Sequence, residues 1–303
     1  MQTTNKNRAS DHTKGVVACL CVVICWTGFN IITRFGAKNV FTPFDLGALR
    51  FSISGIIALP IFLYLVPKDN WPKYIVLSIF GGLGYSLFVY SGFVYAPSAH
   101  AGVFVNGGIP FWAAILVAFS SQFKMPKNLI LALALSTIGL LMIGFDSLFV
   151  QSMDGEWRGD ILFFIAALTW AVFGFLIRRW QIRPFLAMLG IASFAAVIYL
   201  PIYILWLPKT ILSASFDQIA LQGFYQGIVA ALFAGGMYGY AVQKIGTREA
   251  AMLLTLVPAL SALGGYFFLA ESLTWIVILG VAIVSLAGFL GAIPAANLNK
   301  EAS

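Results

Sequence analysis

Runs of about 20 apolar residues recur along this chain at short intervals, and no other feature limits its fold so sharply. They cover roughly 15–34, 44–66, 74–95, 99–121, 128–146, 160–179, 185–207, 219–242, 249–270 and 274–293. At about 1.5 Å per residue, each run as a helix crosses a hydrocarbon core roughly 30 Å thick. Backbone N–H and C=O groups find no water there, so a spanning segment must pair them internally. The expected fold is therefore an all-α membrane protein with ten transmembrane helices. Only 10% of the residues are charged, against about a quarter in soluble domains. The longest connection, "DSLFVQSMDGEWRG" (146–159), is too short for a soluble domain.

The first run resembles a signal peptide, with Lys14 before an apolar core, but it continues to Thr33 without a small-x-small cleavage site. It reads as an uncleaved first helix. The net charge of +7 is a matter of topology. With the N-terminus inside, 13 Lys/Arg fall on inner segments and five (Arg34, Lys38, Arg50, Arg158 and Lys209) on outer ones. That is the positive-inside asymmetry; it places tails 1–14 and 294–303 in the cytoplasm, with no nucleic-acid partner implied. Cys19, Cys21 and Cys25 all lie inside the first helix. They read as small packing residues, since neither a disulfide framework nor a zinc ligand set fits that placement.

The chain is written twice. A shift of 144 residues lays Gly15 on Gly159, Trp26 on Trp170 and Arg34 on Arg178. A shift of 141 carries Pro43, Pro60 and Pro67 onto Pro184, Pro201 and Pro208. A shift of 148 puts Tyr90 on Tyr238, Pro110 on Pro258 and Thr137 on Ser285. The halves, 15–146 and 159–293, are copies of one five-helix unit. Five is odd, so the second copy enters the membrane from the opposite side, and the pair forms inverted repeats. Such pairs build alternating-access transporters with the site near the midplane between them. Trp26 lies 11 residues past Gly15 and Trp170 11 past Gly159, which puts both roughly 16 Å deep, far from the interfacial aromatic belts.

These residues resemble the drug/metabolite transporter superfamily, EamA type. The likeness runs from Gly15 to about Pro294 and rests on "CWTGFN" in helix 1, "LGALRF" (46–51), "YAPSAHAGVFVNGGIPFW" (95–112) and "KIGTREAAMLLTLVPALSALGGYFFLAESLT" (244–274). The resemblance implies a ten-helix inverted-repeat carrier of small metabolites, frequently an exporter of amino acids. Family halves often end the helix 4/9 element with an acid. Glu271 supplies it here, whereas its counterpart is Phe123.

Polar residues inside a membrane are expensive and mark candidate sites. Arg50 lies roughly 9 Å beyond the outer start of helix 2, and its repeat mate is Ile191. It reads either as a cavity-facing charge for a carboxylate or as an arginine that snorkels or pairs with Asp45. Asn30 and Asn106 bring donors and acceptors to helices 1 and 4, for substrate or for interhelical bonds. Trp26, Trp170, Tyr90 and Tyr238 are candidates for an aromatic cavity wall, with ordinary packing as the alternative. Pro110 and Pro258 remove a backbone donor at mid-helix and mark candidate gate bends. His100, at the outer end of helix 4, is the candidate for proton coupling, because histidine titrates in the useful range.

No paired acids or metal ligands support an intramembrane enzyme, and no G-x-x-x-x-G-K-[ST] loop supports an ATP-driven pump. Nothing reads as a selectivity filter or charged ring. The expectation is an alternating-access transporter in the inner (cell) membrane, using no cofactor and exporting amino acids or similar metabolites as a monomer or homodimer. Nucleotide sugars or phosphorylated metabolites, or a channel-like facilitator, are the alternatives. A doubly charged solute calls for several basic cavity residues, and Arg50 stands alone.

Overall fold

The computed structural model describes residues 2–120, 126–150 and 155–293. Helix α1 spans Gln2–Asn39, α2 Pro43–Leu65, α3 residues 71–95, α4 Ser98–Ser120 and α5 Lys127–Phe145. In the second half, α6 is Glu156–Trp180, α7 Pro184–Trp206, α8 residues 216–245, α9 residues 247–269 and α10 Trp275–Ala292. By length and composition nine described stretches can cross a membrane, one of them the 39-residue Phe216–Leu254. Gly246, at φ 84°, breaks that stretch. Residues 247–254 then run on into the short apolar helix Leu256–Leu269 and complete a tenth crossing.

The proline register recurs in the helices. Pro43 and Pro184 each occupy the first position of their helix, where the missing N–H costs nothing, and Pro60 and Pro201 lie inside. Thr42 and Asp45 close a capping box at the start of α2. A second match was not foreseen. The α-helical ladder of α3 widens to π geometry at Ser78–Gly84, and that of α8 does so at Phe224–Phe233. The 148-residue shift carries 78–84 onto 226–232, inside the wider turn.

Packing follows the same exchange. Helix α1 packs on α8 and α9, as α6 packs on α3 and α4; α2 pairs with its mate α7, and α5 with α10. The crossings use small residues, as membrane helices do. A Cβ on Gly55 in α2 would lie 2.4 Å from Ala196 in α7, and one on Gly139 in α5 would lie 2.9 Å from the carbonyl of Gly280 in α10. The outside of the bundle is apolar: Ile56, Tyr64, Phe119, Phe267 and Phe268 are all exposed.

Two expectations need correction. Residues 2–14, read as a tail, continue α1 as helix, because nothing between Gln2 and Gly15 breaks it. The long connection is shorter than expected, because a π turn, Asp146–Val150, extends α5. The 294–303 tail and Phe123 lie outside the described residues.

The crossing of α3 and α6 gives a test of this packing. A Cβ on Gly159 would meet Ala96 Cβ at 2.4 Å and backbone atoms at 2.9 Å, whereas one on Gly174 would meet nothing within 4 Å. Gly159→Ala is expected to destabilise the folded protein by about 1–3 kcal/mol. Gly174→Ala should be neutral or stabilising by up to about 1 kcal/mol. Thermal unfolding in detergent checks the order.

Candidate functional site

Arg50 sits about two turns inside α2, 9% exposed, with its guanidinium carbon 5.9 Å from the centroid of Phe29 on α1. No carboxylate pairs with it among the described residues. Asp45 is engaged elsewhere: it accepts from Thr42, from the Thr210 hydroxyl at 2.8 Å and from Tyr203. The Asp45-paired alternative for Arg50 is thereby removed. A lone buried cation packed on a ring is an electrostatic vacancy for an anion.

Arg50 faces a narrow space between the halves, about 10 Å³ in this conformation and so no larger than one water molecule. Its other walls are Phe51 and Ser54 of α2, Gly81 of α3, Trp170 of α6, Met188, Ile191 and Ala192 of α7, and Ala231 of α8. Arg50 and its repeat mate Ile191 therefore face the same space, one wall charged and the other apolar. Trp170 stacks against Tyr85 at 4.7 Å and Phe173 at 5.0 Å. A Cβ at Gly174, one turn past Trp170, or at Gly239, beside Tyr238 on α8, would meet nothing within 4 Å. The Tyr238 ring lies 5.7 Å from that of Trp26.

The remaining predicted residues are placed differently. Tyr90 is fully buried, and its hydroxyl donates to Gln226 at 3.0 Å. Gln226 in turn donates to Thr33 at 2.8 Å, and Gln222 to the Ile32 carbonyl at 2.6 Å. This ladder ties α3 and α8 to α1 beside Arg50. Sequence reasoning missed both glutamines, although two of them four residues apart in an apolar run are a legible signal of one polar stripe. Asn30 donates to Ser261 on α9 at 2.8 Å, and Asn106 bonds back to the Gly102 carbonyl of its own helix at 2.8 Å. Pro258 is buried against Gly102 while Pro110 is exposed.

One end of the bundle is tied shut. At the end carrying the α1–α2, α3–α4, α5–α6, α7–α8 and α9–α10 connections, Arg34 of α1 donates to Glu271 after α9 at 3.0 Å, and also to the Phe93 and Val94 carbonyls of α3. Ser98 at the start of α4 donates its N–H to the same carboxylate at 3.0 Å. His100 of α4 bonds Asp160 of α6 at 2.8 Å, and Thr274 before α10 bonds Asp146 after α5 at 2.7 Å. At the opposite end, the interhelical ion pairs among the described residues join α1 only to α8 and α9, through Asp11 to Lys244 and His12 to Glu249. The fold therefore holds a small charged space between its halves, with buried ion pairs across one end of the bundle and more exposed ones at the other.

The sequence model of the EamA-like transporter family matches residues 13–145 and 157–292. The chain is 26% identical over 295 residues to a probable amino-acid metabolite efflux pump of Escherichia coli (strain K12), covering 89% of this chain and 91% of that one. It is 23% identical over 270 residues to an uncharacterized transporter of Bacillus subtilis (strain 168), covering 80% and 84%. A solved crystal structure superimposes with a TM-score of 0.62 at 20% identity, covering 94% of this chain and 99% of its own, and shares the fold.

The two buried arginines should behave differently. Removing one partner of the Arg34–Glu271 pair leaves an uncompensated buried charge, and Glu271→Ala is expected to cost about 3–5 kcal/mol. Arg50→Ala orphans no ion partner and should cost far less. Thermal unfolding of the purified variants separates them.

Proposed function

We propose that this chain, which belongs to the EamA-like transporter family, is an alternating-access secondary transporter that exports amino acids or similar small metabolites across the cell membrane. The observation that carries this reading is Arg50: a buried cation without an ion partner, facing a crevice built by both halves. A single positive charge suits one carboxylate, and a zwitterion or a modest organic acid meets it with one bidentate contact. Doubly charged phosphates would leave one charge unpaired in a dry site. The names of the Escherichia coli relative and of a 24% identical relative in Salmonella typhimurium (strain LT2), both probable amino-acid metabolite efflux pumps, support the same class.

The roles divide by position. Arg50 binds the carboxylate, with Phe29 and the Tyr90–Gln226 ladder holding its surroundings in place. Trp170, and Trp26 with Tyr238, supply aromatic walls for an apolar side chain. Asn30 and Asn106 bond partners within the protein here; they exchange those partners for substrate only when the helices shift. Pro258, against Gly102, and Pro110 bend α9 and α4 as gates. The excess of Lys/Arg on the connections read as inner supports both chain ends in the cytoplasm and the tied end outside, so the more loosely paired end faces the cytoplasm. The repeats span roughly 15–146 and 159–293, and rocking one against the other exposes the crevice alternately.

Counterflow in proteoliposomes tests the reading. Preloading with unlabelled apolar or aromatic amino acids should accelerate entry of the labelled amino acid. Arg50→Ala should slow exchange at least about tenfold, the loss of one charge-assisted bond of about 1.5–3 kcal/mol. Replacing Trp26 and Trp170 together by alanine should abolish exchange while the protein still inserts. Flux indifferent to every preload would instead mark a pore, and full exchange by Arg50→Ala would remove the proposed site.

A further inference from the structure

The tied end holds more acid than it can neutralise. His100, 1% exposed, has Nδ1 2.8 Å from Asp160 Oδ1 and Nε2 4.0 Å from Glu156 Oε2. From α5, Ser147 donates to Asp160 Oδ2, and Asp146, wholly buried, accepts from Thr274 with Oδ1 only. Glu156 is 1% exposed, and its Oε2 and Asp146 Oδ2 are buried without a hydrogen-bond partner. From α1, Arg34 is bonded to Glu271, which also accepts from Ser98, and the arginine's Nη2 is left without a hydrogen-bond partner. The next cation along α6, Arg158, turns away onto the rings of Tyr95 and Trp157. Four carboxylates thus share one guanidinium and one imidazole in a layer closed to water. Buried charge of that imbalance is not tolerated unless protons make it up.

The layer also has a floor. Phe93, Val103, Ile143 and Phe163, all buried, belong to one apolar cluster, and none of the four titrates.

We propose that His100, Asp160 and Glu156 form a proton-binding site of the outer gate, filled when the gate is shut and emptied to external water when it opens. The proposal rests on the orientation given under Proposed function, but not on the substrate. It makes the proton a ligand of one gate and not a cargo carried across. The sign follows from linkage. The shut form holds the extra proton, so low external pH favours it, and opening becomes easier as pH rises through the range in which the proton is lost. For one proton the opening equilibrium shifts by up to about tenfold per pH unit.

The test reads gate opening without substrate. In full-length protein with Cys19, Cys21 and Cys25 replaced by alanine, Ala99→Cys places a thiol in the layer, at a side chain 1% exposed. Its labelling by a membrane-impermeant maleimide is measured between about pH 6 and about pH 8 in proteoliposomes. The rate is divided by that of Leu212→Cys, 96% exposed, which removes the thiol's own pH dependence. The expected ratio climbs several-fold to tenfold per pH unit in the parent and flattens in Asp160→Asn. Should Asp160→Asn fail to insert, Glu156→Gln, whose outer oxygen has no bond to lose, makes the same comparison. A flat ratio in the parent, or an unchanged climb in the neutral variant, overturns the proposal. Counterflow in the same vesicles separates the two readings. Normal exchange with a flat ratio defeats only the proton site, and absent exchange with a climbing ratio defeats only the amino-acid reading.

Discussion

In hydrocarbon, apolar side chains gain little by leaving lipid for one another, so this bundle depends on close approach of backbones and on buried polar pairs. Both devices are visible in its geometry. The α2–α7 and α5–α10 crossings, each joining a helix to its own repeat mate, are built on Gly55 against Ala196 and on Gly139 against Gly280. Where α1 must hold α3, α4 and α9 together, Arg34 and Glu271 do so by charge. An ion pair of this kind is worth little against a well-packed apolar replacement, but it is costly to break on one side only. It therefore fixes which helices meet more than it adds stability.

The duplication gives the scaffold its symmetry, and the proposed site is where that symmetry is broken. Arg50 and Ile191 occupy equivalent positions and line one crevice, so the charge is single and the opposing wall apolar. Pro258 is buried against Gly102, while Pro110 is exposed. Trp170 packs with Tyr85 and Phe173, whereas Trp26 meets Tyr238. The amino acid proposed as substrate is asymmetric, and two identical walls could not tell its carboxylate from its side chain.

The ten crossings and the repeat were legible because both are one-dimensional: apolar length and matched proline spacing survive without coordinates. Arg50 was legible as a charge in a run that should carry none. Its freedom from Asp45 was not, because that depends on Thr210 and Tyr203, some 160 residues away in sequence. The same distance hid the acidic layer. Asp146, Glu156 and Asp160 stand at the ends of apolar runs, where water is the default neighbour, and only the folding of α4, α5 and α6 onto one another seals them in. Residues 2–14 read as a tail because their composition is polar, yet helix propagation from α1 carries through them.

The paired π turns carry a consequence for energetics. Seven residues, Ser78–Gly84, are wound wide in α3, and ten, Phe224–Phe233, in α8. Ideal mirror copies would exchange conformations at no net cost, like a coin with two identical faces. Turns of unequal length store unequal amounts of backbone freedom. If the halves rock as proposed, the two forms of the empty protein differ in free energy by that inequality, and a solute works against or along it.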